Sequence, residues 1–236
     1  MWVLAQYEPT ALFALKPATA TASGAKSLLV PTPYSVKMAL LDVACRLEGK
    51  SAAEAAWPWL RQVGVALQPT KQVVVNNTFT KVLKPRRSPS KPGSQDAGYF
   101  GRTIAYREYV YLHDPFVLAL EGETDEQAAY LERWLININY LGKRGSFIQL
   151  VELPRRSAEL PSEFIRLDTD VEVFTLSDVI LAQLDDVGAN TTFERISIYS
   201  PESMKLGVHR LLRHVALPYR RVASSRSYTQ YERSDQ

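Results

Sequence analysis

The stretch that decides the fold is PTPYSVKMALLDVACRLEG, residues 31–49. Pro31 and Pro33 hold the chain extended. A helix then starts at Ser35, and its apolar residues Val36, Leu40, Val43 and Leu47 recur at helical spacing. Gly49 ends it. Upstream, residues 2–7 form a short strand, and residues 17–33 form a loop rich in Ala, Thr, Ser and Pro. Downstream, Ser51 and Glu54 make a capping box for a second, short helix, which Pro58 kinks or stops.

Further along, Val73, Val74 and Val75 mark a buried strand. Residues 84–101 lack periodicity and carry Pro85, Pro89, Pro92 and Gly93, the composition of a flexible projecting loop. Arg102 to Tyr111 alternates as a strand. Val117 to Glu121 is another, after the Asp114–Pro115 turn. Thr124 and Gln127 cap a helix that buries Leu131, Trp134, Leu135 and Ile138. Phe147 to Leu153 is a strand, Leu176 to Leu184 a helix and Phe193 to Tyr199 a strand. The residues from Arg226 onward are polar and loose until bound. Irregular alternation of strands and helices fits an α+β, ferredoxin-like (RRM-like) body. RNA-recognition domains often use such a sheet.

Of the 236 residues, 46% are hydrophobic and 22% charged, as in an ordinary globular chain, which excludes disorder for most of it. The net charge of +3 is small, but its distribution is uneven. Residues 80–110 and 205–236 are basic and interleaved with aromatics, which suits a phosphate backbone. Residues 159–186 are acidic, which points to solvent or a basic protein neighbour. Cys45 is the sole cysteine, so an internal disulfide and a cysteine-based zinc site are excluded. It falls in an apolar helical pattern, as a core residue. His113, His209 and His214 show no metal-ligand spacing. Neither a signal peptide nor a membrane-spanning run is legible, so the expected compartment is the cytoplasm. No cofactor is expected.

Three segments carry candidate chemistry. In residues 30–37, a helix N-terminus offers backbone N–H groups to an anion, with Lys37 in the first turn. In Lys81–Arg102, Lys84, Arg86, Arg87 and Lys91 can neutralise phosphates, and Tyr99 and Phe100 can stack on bases. In Tyr140-Leu141-Gly142-Lys143-Arg144-Gly145-Ser146, Gly142 suits a helix C-cap and Gly145 a close backbone approach. Lys143 and Arg144 follow the helix end. The element is too short for a phosphate-binding P-loop.

In this order the segments resemble the Cas-five family. The resembling elements are Pro31-Thr32-Pro33 leading into the first long helix, Arg107-Glu108-Tyr109 in a central strand, and Tyr140-Leu141-Gly142-Lys143-Arg144 after the second long helix. The match spans roughly residues 1–155. Where many relatives continue with Ser-Cys, this chain has Gly145-Ser146-Phe147. The resemblance implies a single subunit, residues 1–236, with a protruding hairpin or loop thumb at about 81–104 and a loosely matched C-terminal portion from 155. It implies a non-catalytic member of a type I CRISPR complex, Cascade, capping the 5′ handle of the guide RNA. Its partners would be that RNA, the backbone and large subunits and, indirectly, target DNA, with no membrane. The RNA-binding residues would be Lys26, Ser35, Lys37, Lys84, Arg86, Arg87, Lys91, Tyr99, Phe100, Arg102, Arg107, Lys143 and Arg144.

Two rivals stand beside this. A metal-independent endoribonuclease of CRISPR repeat RNA needs a general acid or base near a cation. His113, Tyr109 and Tyr111 with a nearby lysine would serve, although a histidine at a strand end is more simply structural. A protein-interaction subunit without RNA contact would make use of the acidic stretch.

Overall fold

The computed structural model describes residues 1–20, 24–172 and 178–234. The chain opens with β1 (Trp2–Pro9), a two-residue β2 (Gly24–Ala25), α1 (Pro33–Glu48), α2 (Lys50–Leu60) and β3 (Gly64–Gln68). A long hairpin follows, β4 (Gln72–Ser90) and β5 (Gly98–Leu112), then β6 (Phe116–Glu121), α3 (Asp125–Ile136) and β7 (Ile148–Leu150). The remainder is β8 (Arg155–Ser157), β9 (Ile165–Arg166), β10 (Ile180–Val187), the single turn α4 (Phe193–Ile196), β11 (Arg210–Leu217), β12 (Tyr219–Ser224) and β13 (Tyr228–Arg233).

The body is an antiparallel sheet in the order β7-β1-β6-β3-β9, with β8 beside the start of β1. Alternation along β1 sorts its side chains to two faces. Val3, Ala5 and Tyr7 join the core shared with α1, α2 and α3. Trp2 and Leu4 face the other way, onto Ala66, Ala119 and Phe164. Buried Tyr7 donates its hydroxyl to the Leu135 carbonyl at 2.6 Å, which fixes α3 on the sheet and satisfies a polar group that burial would otherwise penalise.

The first helix begins two residues before Ser35. Thr32 is its N-cap, Pro33 its first residue, and Thr32 and Ser35 form the capping box reciprocally. Ser51 and Glu54 do not cap α2, because that helix already starts at Lys50 with Gly49 as its uncapped N-terminus. Pro58 sits inside α2 without ending it, two residues before the helix closes at Leu60. Cys45 is half-buried rather than central.

Residues 84–101 are not an irregular loop. β4 and β5 stay paired out to Pro85↔Phe100, and after an irregularity Ser90 still faces Gly98. Beyond its base this ribbon has no third strand among the described residues, so Pro85 and Pro89 remove no described sheet bond on the outer edge. The base is braced. β13 pairs with β4 from Gln72 to Asn76, and β12 pairs with β13. Tyr228–Arg233 is therefore not loose, since Tyr228, Thr229 and Tyr231 are good strand formers that close a sheet.

Two further segments differ from expectation. Ile180–Val187 is a strand paired with β11 over eight positions, not a helix, while Leu176 lies outside the described residues. Residues 193–199 hold the short α4 rather than a strand. The β10–β11 ribbon ends at Val187↔Arg210, so it offers them no edge to extend. Ile198 and Tyr199 project outward, with Tyr199 92% exposed.

The acidic stretch is divided: Glu159, Glu163, Asp170, Glu172 and Asp178 are exposed, whereas Asp185 and Asp186 are buried. Asp186 meets Lys37 at 2.7 Å, with Lys37 only 2% exposed. Asp185 binds Arg210, Asp168 binds Arg166 and Asp170 binds Arg213. Burial pushes the Asp186 carboxyl up, and the Lys37 ammonium pulls it only partly back. A carboxyl raised on folding contributes stability below its unfolded pKa and loses it as pH rises through the folded value. Acid therefore acts on the fold through carboxyls shifted down, such as Glu132, hydrogen-bonded by Arg156. Removing one member of a buried pair costs about 3–5 kcal/mol. Lys37→Met and Asp186→Ala should each lose that much in urea unfolding, and Lys37→Met with Asp186→Leu should recover most of it. Single variants within about 0.5 kcal/mol of the parent would show that the pair does not hold the fold.

Candidate nucleic-acid interface

A cleft of about 510 Å³ opens at the start of α1. Four pieces of chain build its walls. Residues 13–15 form the first. Phe13 exchanges backbone hydrogen bonds with Val110 of β5 at 2.7 and 2.8 Å, and Leu15 accepts from Leu28 at 2.7 Å. Lys16 follows and lines the cleft. Ser27 donates its backbone N–H to Glu108, which also accepts from Tyr106 at 2.8 Å. The Arg-Glu-Tyr strand thus uses its glutamate to fasten the neighbouring segment and sends Arg107 to the cleft. Burial, followed by the bond to Glu108, raises the Tyr106 phenol to about 12.

The second wall is the turn after α3. Tyr140 bridges to Phe147, Leu141 accepts no exposure at all, and its N–H reaches the Ser146 carbonyl at 3.2 Å. Buried Ser146 accepts from the Ala14 N–H at 3.2 Å, docking the turn on the first wall. Gly142 has φ 72° and Gly145 φ 107°, a left-handed region that favours glycine. Gly142 is not a helix C-cap, because α3 has already ended at Ile136 with Asn137 as its cap. Gly145 meets no neighbour within 4 Å, so backbone torsion rather than close approach explains it. The turn presents Lys143 to the cleft, and Arg144 is exposed beside it.

The third wall is α1, through Tyr34, Ser35, Met38 and Ala39. Its terminus is less open than the sequence implies. Ser35 N–H donates to Thr32 Oγ1 and Val36 N–H to the Thr32 carbonyl. Lys37 points away, buried on Asp186, so it is withdrawn from any phosphate. The fourth wall comes from the C-terminal ribbon. Arg210 donates from Nε to Asp185 at 2.6 Å, and its guanidinium carbon lies 4.2 Å from the Tyr34 ring centre.

Of the expected residues, Ser35, Arg107 and Lys143 converge here. Lys16, Tyr34 and Arg210 join them without having been singled out. Lys16 belongs to no motif, and only the basic C-terminal composition pointed toward Arg210. Lys26 is exposed outside the cleft lining.

The hairpin carries the other set. Opposed residues of an antiparallel pair share a face. Phe79, Lys81, Leu83, Phe100, Arg102 and Ile104 therefore form one row, mixing apolar and cationic side chains. Phe100 is 58% exposed. Tyr99 is exposed as well, one residue along and therefore toward the other face. Arg86 lies across Gly101, where any Cβ would collide with it, and faces Asp96 at 3.6 Å. Arg102 shares that carboxylate at 3.5 Å. Lys84, Arg87 and Lys91 are exposed and in no ion pair among the described residues.

Fold and surface together define a mixed α/β protein with a cationic cleft and a cationic, aromatic two-stranded arm. No protein-family model matches the chain. It is similar to the CRISPR-associated protein Cas5 of Archaeoglobus fulgidus, 26% identical over 183 residues that make up 76% of each protein. The resemblance to the Cas5 family carried by Pro31–Pro33, Arg107–Tyr109 and Tyr140–Arg144 stands beside that relative. A crystal structure of a CRISPR protein from Archaeoglobus fulgidus aligns with TM-score 0.43 at 12% identity, covering 99% of this chain and 92% of that one. A chain of a CRISPR RNA-guided surveillance complex aligns with TM-score 0.46 at 14% identity, covering 92% and 88%.

Desolvation and then the neighbouring Arg107 and Lys143 hold the Lys16 ammonium below the usual lysine range. Folded Lys16 is thus less protonated than unfolded Lys16, and its contribution to stability grows as pH rises through the folded pKa. An NMR titration of the Lys16 side chain should give a midpoint below that of free lysine, and Lys143→Gln should raise it. A midpoint at or above free lysine would mean that these cations do not share the cleft.

Proposed function

We propose that this chain is a non-catalytic, RNA-binding subunit of a type I CRISPR RNA-guided surveillance complex, Cascade, and that it caps the 5′ handle of the guide RNA. The observation that carries this is the pairing of two cationic surfaces, cleft and arm, on a relative of Cas5. Its order β1, α1–α2, β3, β6, α3, β7 follows the ferredoxin-like pattern of strand–helix–strand–strand–helix–strand. The β4–β5 hairpin is inserted between the two middle strands as the thumb. The backbone and large subunits of the complex are its protein partners, and target DNA is met only through the assembly.

The placement of the histidines favours binding over cutting in the cleft. His113 does meet Tyr111, the pair a nuclease could use, but at a strand end; Nδ1 of His209 accepts from the Lys205 N–H, and His214 sits against Asp170. None of the three lines the cleft. Repeat RNA incubated with the chain in EDTA should remain intact, and a specific cut abolished by His113→Ala would make the chain a nuclease.

The thumb is tested by salt. Each single-strand phosphate neutralised contributes a slope of about 0.7 in log affinity against log salt. Changing Lys84, Arg87 and Lys91 together to alanine should flatten the slope for single-stranded RNA by about two units. An unchanged slope in a folded triple variant would remove the hairpin from the RNA interface.

A further inference from the structure

We infer that the cleft walled by Lys16, Tyr34, Lys143 and Arg210 is a seat for one unstacked ribonucleotide. The phosphate lies between the two lysines, and the base lies against the apolar side and the Tyr34–Arg210 pair. This seat rests on the RNA-binding function proposed above, and adds to it a discrete site that holds a whole nucleotide rather than a track for backbone charge.

Size comes first. At about 510 Å³ the cleft falls in the range of small-ligand pockets, about 300–1,000 Å³, and a duplex cannot enter it. Its lining has two chemistries. Leu15, Leu28, Met38 and Ala39 offer an apolar surface, and the cations stand along the rim from the two turns. A bare phosphate site has no use for the apolar half. A purely hydrophobic pocket has no use for the lysines. A nucleotide needs both halves, because its base is a flat, weakly polar plate and its phosphate a localised charge.

The second argument is preorganisation. Arg210 is fixed from two sides, by Asp185 through Nε and by the Tyr34 face. No hydrogen bond from its Nη atoms occurs among the described residues. A planar guanidinium held this way suits stacking on a base or hydrogen bonding to its edge. Tyr34 is itself positioned, with its hydroxyl 3.6 Å from Met204 Sδ. Neither Lys16 nor Lys143 has an ion-pair partner among the described residues. Lys16 and Lys143 line one cleft together with Arg107, so a phosphate placed among them would be met by several cations.

The test uses the full chain and titrates it with the four ribonucleoside 5′-monophosphates, the matching nucleosides and inorganic phosphate. Binding is followed by NMR at Lys16, Met38 and Lys143, and single-stranded RNA binding is measured separately by filter retention. At least one monophosphate should bind about tenfold tighter than both phosphate and its nucleoside. Lys16→Gln and Lys143→Gln, surface changes that leave the fold intact, should each weaken it about tenfold. Tyr34→Leu should reduce monophosphate binding to the level of phosphate alone. Equal affinity for phosphate and monophosphates would overturn the seat in favour of a simple anion site. RNA retention without any monophosphate binding would overturn the seat and leave the RNA function standing. Loss of both would remove the function as well.

Discussion

The contact on which the rest of the structure depends is the buried ion pair between Lys37 and Asp186. It joins the N-terminal half of α1 to the β10–β11 ribbon, across 149 residues of chain. A buried pair of this kind gives little net stability over apolar residues of equal volume. Its effect is on register. Asp185 and Asp186 are adjacent in a strand, so they point to opposite sides. Asp186 takes Lys37 and Asp185 takes Arg210. A one-residue slip of the ribbon would exchange them and bury a carboxylate without its partner. The pair thereby decides that Arg210, opposite Val187, arrives beside Tyr34.

From that constraint the two cationic surfaces follow. The ribbon leaves the cleft along β11, turns at Pro218 and continues as β12, so the strand that supplies Arg210 also leads into the sheet that braces the arm. β13 then lies along the base of β4. Beyond that base the arm has two strands and no core of its own, and isolated two-stranded ribbons are marginal in water. Its exposed row of Phe79, Leu83, Ile104 and Phe100 is the surface a partner would cover, and the interleaved Lys81 and Arg102 fit a nucleic acid with both stacking faces and phosphates.

The body was legible in the sequence because its signals were local. The α1 periodicity, the Thr124–Gln127 cap and the valines of β4 each predict what forms. The C-terminal third was not legible, because its structure is decided by distant pairing. Ile180–Val187 is apolar enough for a helix and becomes a strand only because β11 lies beside it. Tyr228–Arg233 looks like a polar tail until β4 offers it an edge. The site was half legible for the same reason. Lys143 and Arg107 sit in recognisable motifs, whereas Lys16 and Arg210 reach the cleft only through tertiary contacts. Lys37 occupies the expected position in α1, but its partner is 149 residues away, and no local pattern announces it.

The most direct measurement of the whole account is hydrogen exchange of the intact chain, free and saturated with single-stranded RNA. The account predicts added protection in three separate segments: residues 13–16, residues 140–147 and the outer hairpin around residues 80–104. Helices α2 and α3, which contribute nothing to the cleft lining, should exchange at the same rate in both states. RNA binding that protected α2 or α3 and left the cleft walls and hairpin unchanged would contradict it.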